Sequence, residues 1–318
     1  MPSVTAPSPI RVKDSWGDRV FNFFNVAILS VIVIVVLYPL YFIVCASFTD
    51  PMVVNSGAVL LYPVKFYAKG YEKIFAYDAL WQGYANSFLY MFAGTAVNML
   101  ITIPAAYALS RKDLVGRSLF LKVFTFTMFF SGGLIPSYII NSRLGLRDNL
   151  WAMIIPTGLN VWNMIIARTF FQGSLPDELL DAAHIDGCSD LRFFAGFALP
   201  LSKAMLAVIL LFYAVGHWNG YFHALIYLNT EKRFPLQLVL RNLLLVNQIT
   251  SSSMTADMKQ MADRIRIAEQ LKYGIIVMAS APLLILYPFL QRYFVQGVLV
   301  GSIKGWRILP PQADANAG

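Results

Sequence analysis

The 318 residues are 58% hydrophobic and 13% charged, whereas an ordinary soluble domain is about half apolar and about a quarter charged. So few charges cannot screen that much apolar surface from water, and lipid is the expected solvent. The 14% aromatic content excludes intrinsic disorder, two cysteines (Cys45 and Cys188) exclude a disulfide scaffold, and the net charge of +8 reads as membrane topology and anionic lipid rather than nucleic acid.

In chain order, the lead Met1–Pro9 is polar and proline-rich, so no cleavable signal is expected there. No Asp, Glu, Lys or Arg then occurs between Arg19 and Asp50, and Phe23 to Ala46 is almost unbroken apolar sequence. A spanning helix needs about 20 such residues. Further charge-free gaps run Ala79–Ser110, Val123–Ser142, Asn149–Ala167, Ala204–Thr230 and Tyr273–Gln291, which predicts an all-α protein with six transmembrane helices. Barrel strands would be about ten residues long and strictly alternating, unlike these runs. An even number of spans puts both termini on one side, and Arg11, Lys13 and Arg19 before the first span favour the cytoplasm. The expected division is a cytoplasmic segment 1–20, a membrane domain 21–300 and a cytoplasmic tail 301–318.

Three connecting segments are long enough for structure of their own: Thr49–Asp78, Gly173–Lys203 and Glu231–Lys272. The last is expected to begin as a loop and then place Met254, Met258, Met261, Ile265, Ala268 and Leu271 on a helical stripe packed at the outer mouth. The middle segment predicts a helix-turn-helix elbow on the cytoplasmic face. Ser174 with Asp177 reads as a capping box, Pro176 suits a first turn, and Asp177 and Glu178 complement the helix dipole. Gly187 ends this helix; Ser189 caps a second that bears Phe193, Phe194 and Phe197 before Pro200, an aromatic ridge that should pack on the inner ends of the spans or on a partner.

Asp181-Ala182-Ala183-x-x-Asp186-Gly187, followed after twelve intervening residues by Pro200, resembles the EAA signature of permease subunits in bacterial ATP-binding-cassette importers. Pro176-x-Glu178-Leu179, Ser131–Pro136, Gly216-His217-Trp218-Asn219, Tyr287–Gln291 and Gly301–Gly305 resemble its carbohydrate branch, related to the maltose-transporter inner permease, and within it the oligosaccharide subgroup. The likeness runs from Trp16 to Gly305; Asp181 stands where the signature usually has Glu, one methylene shorter. It implies the type I importer permease fold and a coupling role for Glu178, Asp181, Ala182, Ala183, Asp186, Gly187 and Pro200. The implied partners are a second related permease, two ATPase subunits and an extracytoplasmic solute-binding protein. ATP and magnesium belong to the ATPases, and the tail from Gly301 would reach their interface. Consistent with that division, the chain has no G-x-x-x-x-G-K-[ST] and no Gly-Lys dipeptide with which to cradle phosphates.

The six gaps hold no ionisable Asp, Glu, Lys or Arg, whereas ion-coupled carriers keep such groups at mid-membrane depth. An ion-coupled secondary carrier is therefore the runner-up and a non-transporting assembly factor a third reading. An uncharged path with amides and aromatics suits a sugar. Candidates are Asn160, Trp162 and Asn163 in the fourth span and His217, Trp218, Asn219 and Tyr221 in the fifth, with helix–helix hydrogen bonding and an interfacial aromatic belt as the competing roles. His217 and His223 are expected on different helix faces, so no metal site is expected, and the G-x-x-x-G of Gly216 and Gly220 reads as a helix-packing feature. Outside segments carry 12 basic against eight acidic residues, an excess that favours a uronate-containing oligosaccharide such as alginate or pectin fragments. No chemistry on the transported molecule is expected.

Overall fold

The computed structural model describes residues 15–57, 61–251 and 266–285, with backbone alone for 246–251. Ser15 opens α1 (Trp16–Ser47) with a reciprocal capping box: its hydroxyl accepts from Asp18 N at 3.2 Å, and the Asp18 carboxylate accepts from Ser15 N at 3.0 Å. After it come α2 (Pro51–Asn55), capped by Asp50, and α3 (Lys69–Phe75). The chain continues through α4 (Asp78–Ser110), α5 (Arg117–Phe129), α6 (Leu134–Arg143), α7 (Leu150–Ile154), α8 (Val161–Ser174), α9 (Asp177–Ile185) and α10 (Asp190–Phe193). A π-helical turn, Phe194–Ala198, leads to α11 (Leu199–Leu201), α12 (Lys203–Trp218), α13 (Tyr221–Tyr227) and α14 (Leu236–Ser251), and α15 covers 266–285. Among the described residues the only β pairing is an isolated bridge between Thr49 and Phe66.

Two of these helices, α1 and α4, are long and apolar enough to cross a membrane, and the number rises to at most five if each bent helix pair counts as one span. Within three of the charge-free gaps the helix is interrupted. The third gap bends by 115° between α5 and α6, and the fourth by 53° between the α7 segment, extended by a 3-10 turn to Thr157, and α8. The fifth gap is also interrupted, since α12 stops at Trp218 and α13 begins only at Tyr221. The physical reason is turn chemistry inside apolar sequence: Gly132-Gly133, Pro156 with Gly158, and Asn219-Gly220 break the helix without adding a charge. The sixth gap begins in α15, but its end, 286–291, lies outside the described residues, as do Met254, Met258, Met261 and Ile265 of the expected stripe, the Tyr287–Gln291 motif and the tail 301–318. The loop expected from Glu231 is short, a 3-10 turn over Glu231–Arg233, and the chain then folds into α14, which was not expected and whose Leu236, Val239 and Leu240 are buried.

The described residues fall into two compact units, one made of 15–57, 61–70 and 266–277, the other of 71–251 and 278–285. In the first, Gln270 is completely buried: its amide donates to the Ser47 carbonyl at 3.0 Å and to the Tyr67 carbonyl, and its side-chain oxygen accepts from Gly70 N at 2.7 Å. A buried amide so fully engaged fixes how the turn after α1 meets α15. In the second unit α4 is the central post, packed against α8, α12 and α14.

Candidate functional site

The elbow is built by local rules. Asp177 and Glu178 occupy the first turn of α9, and the helix ends in a Schellman motif: Gly187 N donates to the His184 carbonyl at 2.9 Å and Cys188 N to the Ala183 carbonyl at 2.9 Å. This closure needs the left-handed φ of 75° that Gly187 adopts, where a side chain is strained. Ser189 then caps α10, its hydroxyl accepting from Arg192 N at 3.4 Å, and His184 Nε2 contacts Asp190 Oδ1 at 3.0 Å across the turn.

The expected capping box at Ser174 is not formed, because α8 runs on through Ser174 and Pro176 stands at the α9 cap with no side-chain bond. Asp177 instead accepts from Lys112 Nζ at 2.6 Å and faces Arg111 at 3.8 Å. The Lys112 hydrogen bond holds its carboxyl below the usual carboxylate range.

Inward, Leu180, Ala183 and Phe193 join a core with Ile103, Ala106, Leu109, Met164 and Phe171, and Phe194 lies 4.8 Å from the Tyr107 ring. The aromatic ridge thus packs on α4 and α8, apart from Phe197, which remains 44% exposed. Outward lie Glu178, Asp181, Ala182, Asp186, Gly187 and Pro200. Beside them Ile185 is 86% and Leu191 79% exposed, so the outer face is an apolar patch ringed by carboxylates. Of the pair read as small contact residues, Ala182 faces out while Ala183 is buried in the chain's own core.

The second candidate region is a cavity of about 210 Å³ lined by Met153, Thr157, Asn160, Asn163, Phe212, Tyr213, Gly216, His217, Gly220 and His223. It forms where α8 begins and α12 ends, since interrupted helices expose the backbone and polar side chains that a continuous span would bury. Asn160 caps α8, its side-chain oxygen accepting from Asn163 N at 3.1 Å, and Asn160 N donates to the Tyr213 hydroxyl at 3.1 Å. Tyr213 shares a hydrogen bond of 2.6 Å with Thr102. His217 Nε2 meets Asn98 Oδ1 at 2.6 Å, and Asn98 Nδ2 donates to the Thr157 carbonyl at 2.6 Å. His223 Nε2 lies 2.8 Å from the Ala152 carbonyl.

Asn160, Asn163 and His217 are brought together; Trp162, Trp218, Asn219 and Tyr221 are not among the lining residues. Trp162 is 59% exposed on the outside of α8. Trp218 is buried against Phe88 at 5.3 Å, with its indole N–H donating to the Ala279 carbonyl at 3.1 Å, and Asn219 forms the C-cap of α12. Tyr221 opens α13 and is 42% exposed. Two further expectations change. The break at Gly220 brings His217 and His223 to one cavity rather than to different helix faces, and Gly216 meets open space instead of a packed helix. Thr157, Tyr213 and His223 were missed, although the turn residues Pro156, Gly158 and Gly220 signalled the breaks that bring them in.

At one end of this unit, Asp148 accepts from Asn229 N and Thr230 N at 3.0 Å each, from the Thr230 hydroxyl at 2.6 Å, and faces Arg233 at 3.1 Å. The Thr230 bonds, hydroxyl first, lower its pKa to about 2. The same loop is held by α4: Asn86 Nδ2 donates to the Lys232 and Phe234 carbonyls at 2.8 and 3.0 Å, and the Tyr90 hydroxyl donates to the Arg233 carbonyl at 2.7 Å.

Comparison with known proteins gives a consistent picture. No family model matches the chain. The chain is 39% identical over 289 residues to the polygalacturonan/rhamnogalacturonan transport system permease protein YtcP of Bacillus subtilis, covering 91% of this chain and 99% of that protein. It is 38% identical to Protein LplC of the same organism, over 91% of this chain and 96% of the relative, and 29% identical to the arabinooligosaccharides transport system permease protein AraQ of Halalkalibacterium halodurans, over 86% and 93%. Among solved structures, a bacterial ABC transporter involved in the import of the acidic polysaccharide alginate superposes with a TM-score of 0.75 at 32% identity, over 89% of this chain and 99% of the matched one. With near-complete coverage at that level of identity, the chain belongs to the carbohydrate-transport permease subunits of ABC transporters.

Proposed function

We propose that this chain forms half of the translocation pore of an ATP-driven importer of acidic, uronate-containing oligosaccharides. The observation that carries the substrate class is the agreement of two separate likenesses: the relative at 39% identity is named for polygalacturonan and rhamnogalacturonan, and the solved transporter at 32% imports alginate. All three polymers contain uronic acid residues. The uncharged, amide- and imidazole-lined cavity supports passage of sugar rings, whose hydroxyls need hydrogen-bonding partners.

In this reading the chain crosses the cytoplasmic membrane six times with both termini inside. It pairs with a second related permease and works with two ATPase subunits, which bind ATP and magnesium, and with an extracytoplasmic binding protein. The outward face of α9, with Glu178, Asp181, Ala182, Asp186 and Gly187, meets the ATPase; Ala183 holds the elbow to its own core. The complex in vesicles should take up oligogalacturonides or oligoalginates when ATP is supplied, and an ionophore should leave uptake intact. Uptake that an ionophore abolishes and ATP does not affect would defeat the proposal. Replacing Gly187 by Leu, which strains a left-handed turn, should keep ATP hydrolysis but cut uptake at least about tenfold; uptake at the normal rate would remove the elbow's coupling role.

A further inference from the structure

Asn98 lies in the middle of α4, is completely buried and made no mark in the sequence pattern. Its amide orientation follows from chemistry. The Thr157 carbonyl only accepts, so the amide nitrogen must face it, and the amide oxygen must face His217. That oxygen accepts too, so His217 Nε2 carries a proton. The Ala152 carbonyl imposes the same protonation on His223 Nε2. A second proton on either ring would place a cation in a cavity whose lining residues include no carboxylate. In this tautomer Nδ1 of each imidazole carries no proton and can only accept.

We propose that Asn98 is a positioning residue that sets the hydrogen-bonding polarity of the cavity. By holding His217 as its Nε2–H form, alongside His223 held likewise, it gives the cavity two imidazole acceptors for the hydroxyl donors of a sugar ring. Asn160 complements them, because its side-chain oxygen is engaged at the α8 cap while its amide nitrogen remains a donor for ring or hydroxyl oxygens. The ligand class is a polyhydroxylated sugar unit recognised by its hydroxyls. Gly94 completes the arrangement: a Cβ there would sit 2.4 Å from the His217 ring, so the imidazole lies directly on the α4 backbone beside Asn98. The inference rests on the permease reading for its ligand, but not for its tautomers.

The chain has three histidines, which makes the test direct. The chain, 15N-labelled at histidine and reconstituted with its unlabelled partner subunits in vesicles, should show His217 and His223 neutral and protonated at Nε2, the signals assigned by their loss in His217→Gln and His223→Gln. Either ring protonated at Nδ1 overturns the inference, with no variant needed. Asn98→Leu should turn the His217 signal into a tautomer mixture and raise the KM for an oligogalacturonide about tenfold, with the maximal ATP-driven rate within about twofold. A merely structural Asn98 would lower the yield of assembled complex and leave KM unmoved, and that result also overturns the inference. Wild-type complex that takes up no oligosaccharide of any kind would sink the permease reading and the sugar ligand with it; normal wild-type uptake with the wrong tautomers sinks this inference alone.

Discussion

The helices α1 and α4 are nearly equal in length, 32 and 33 residues, and each contains one proline, Pro39 and Pro104. Their surroundings differ sharply: 6% of the most apolar stretch of α1 is buried against 39% of that of α4. The difference tracks polar content. From Phe23 to Ala46, α1 offers almost nothing but hydrocarbon and rings, whereas α4 carries Asn86, Ser87, Tyr90, Asn98 and Thr102, each bonded to another segment. In lipid an apolar side chain gains little by leaving the tails, so small residues and hydrogen bonds decide which helix becomes interior. The more apolar of the two helices is for that reason the worse core element.

The largest effect should come from closing the contact that α4 makes through a missing side chain. Gly94→Leu drives carbon into the His217 ring and should cost about 3 kcal/mol, seen as loss of assembled complex or a lowered Tm; unchanged thermal unfolding would show that α4 is not a tightly packed post. Asn86→Leu should cost about 1 kcal/mol and raise amide exchange around Phe234, since two carbonyls of the loop lose their donor.

The loop's acid side should respond to pH. The Asp148 pKa is lowered from 3.8 to about 2, so its contribution is complete above about pH 4 and is lost as pH falls toward 2. Exchange at Asn229 and Thr230 amides, corrected for intrinsic rates, should accelerate across that window, and Asp148→Asn should flatten the response. Smallest of all, Ile32→Leu in α1, 52% exposed, should change stability by less than about 0.5 kcal/mol. A larger loss there would erase the contrast between the two helices.

The same contrast explains what the sequence could disclose. The elbow was legible because Gly187, Ser189 and the acids of the first turn act within a few residues of one another; Ser174 misled, being absorbed by the end of α8, and Ala183 proved to face the chain's own core. The cavity was half legible. Asn160, Asn163 and His217 drew notice as polar residues in apolar runs, but their assembly depends on bonds such as Asn98 to His217, 119 positions apart, which no local pattern contains. The absence of charge located the apolar runs while hiding the breaks within them, because glycine and proline interrupt a helix without altering its charge. Asn98 itself was invisible for a related reason: one amide in a long apolar helix looks the same whether it bonds its own backbone or two distant segments.

One detail at the elbow end of α4 concerns how the helix is anchored. Arg117 and Arg168 both donate to the carbonyl of Leu109, at 3.1 and 3.0 Å, gathering two cations on the negative end of the helix dipole. Near its other end, Asn86 and Tyr90 grip the loop at 232–234. A helix of this length is about 50 Å long, and it is fastened at both extremities, with Pro104 as its one missing backbone donor. One helix thus anchors α5 and α8 near one end and, near the other, the loop that Asp148 also holds.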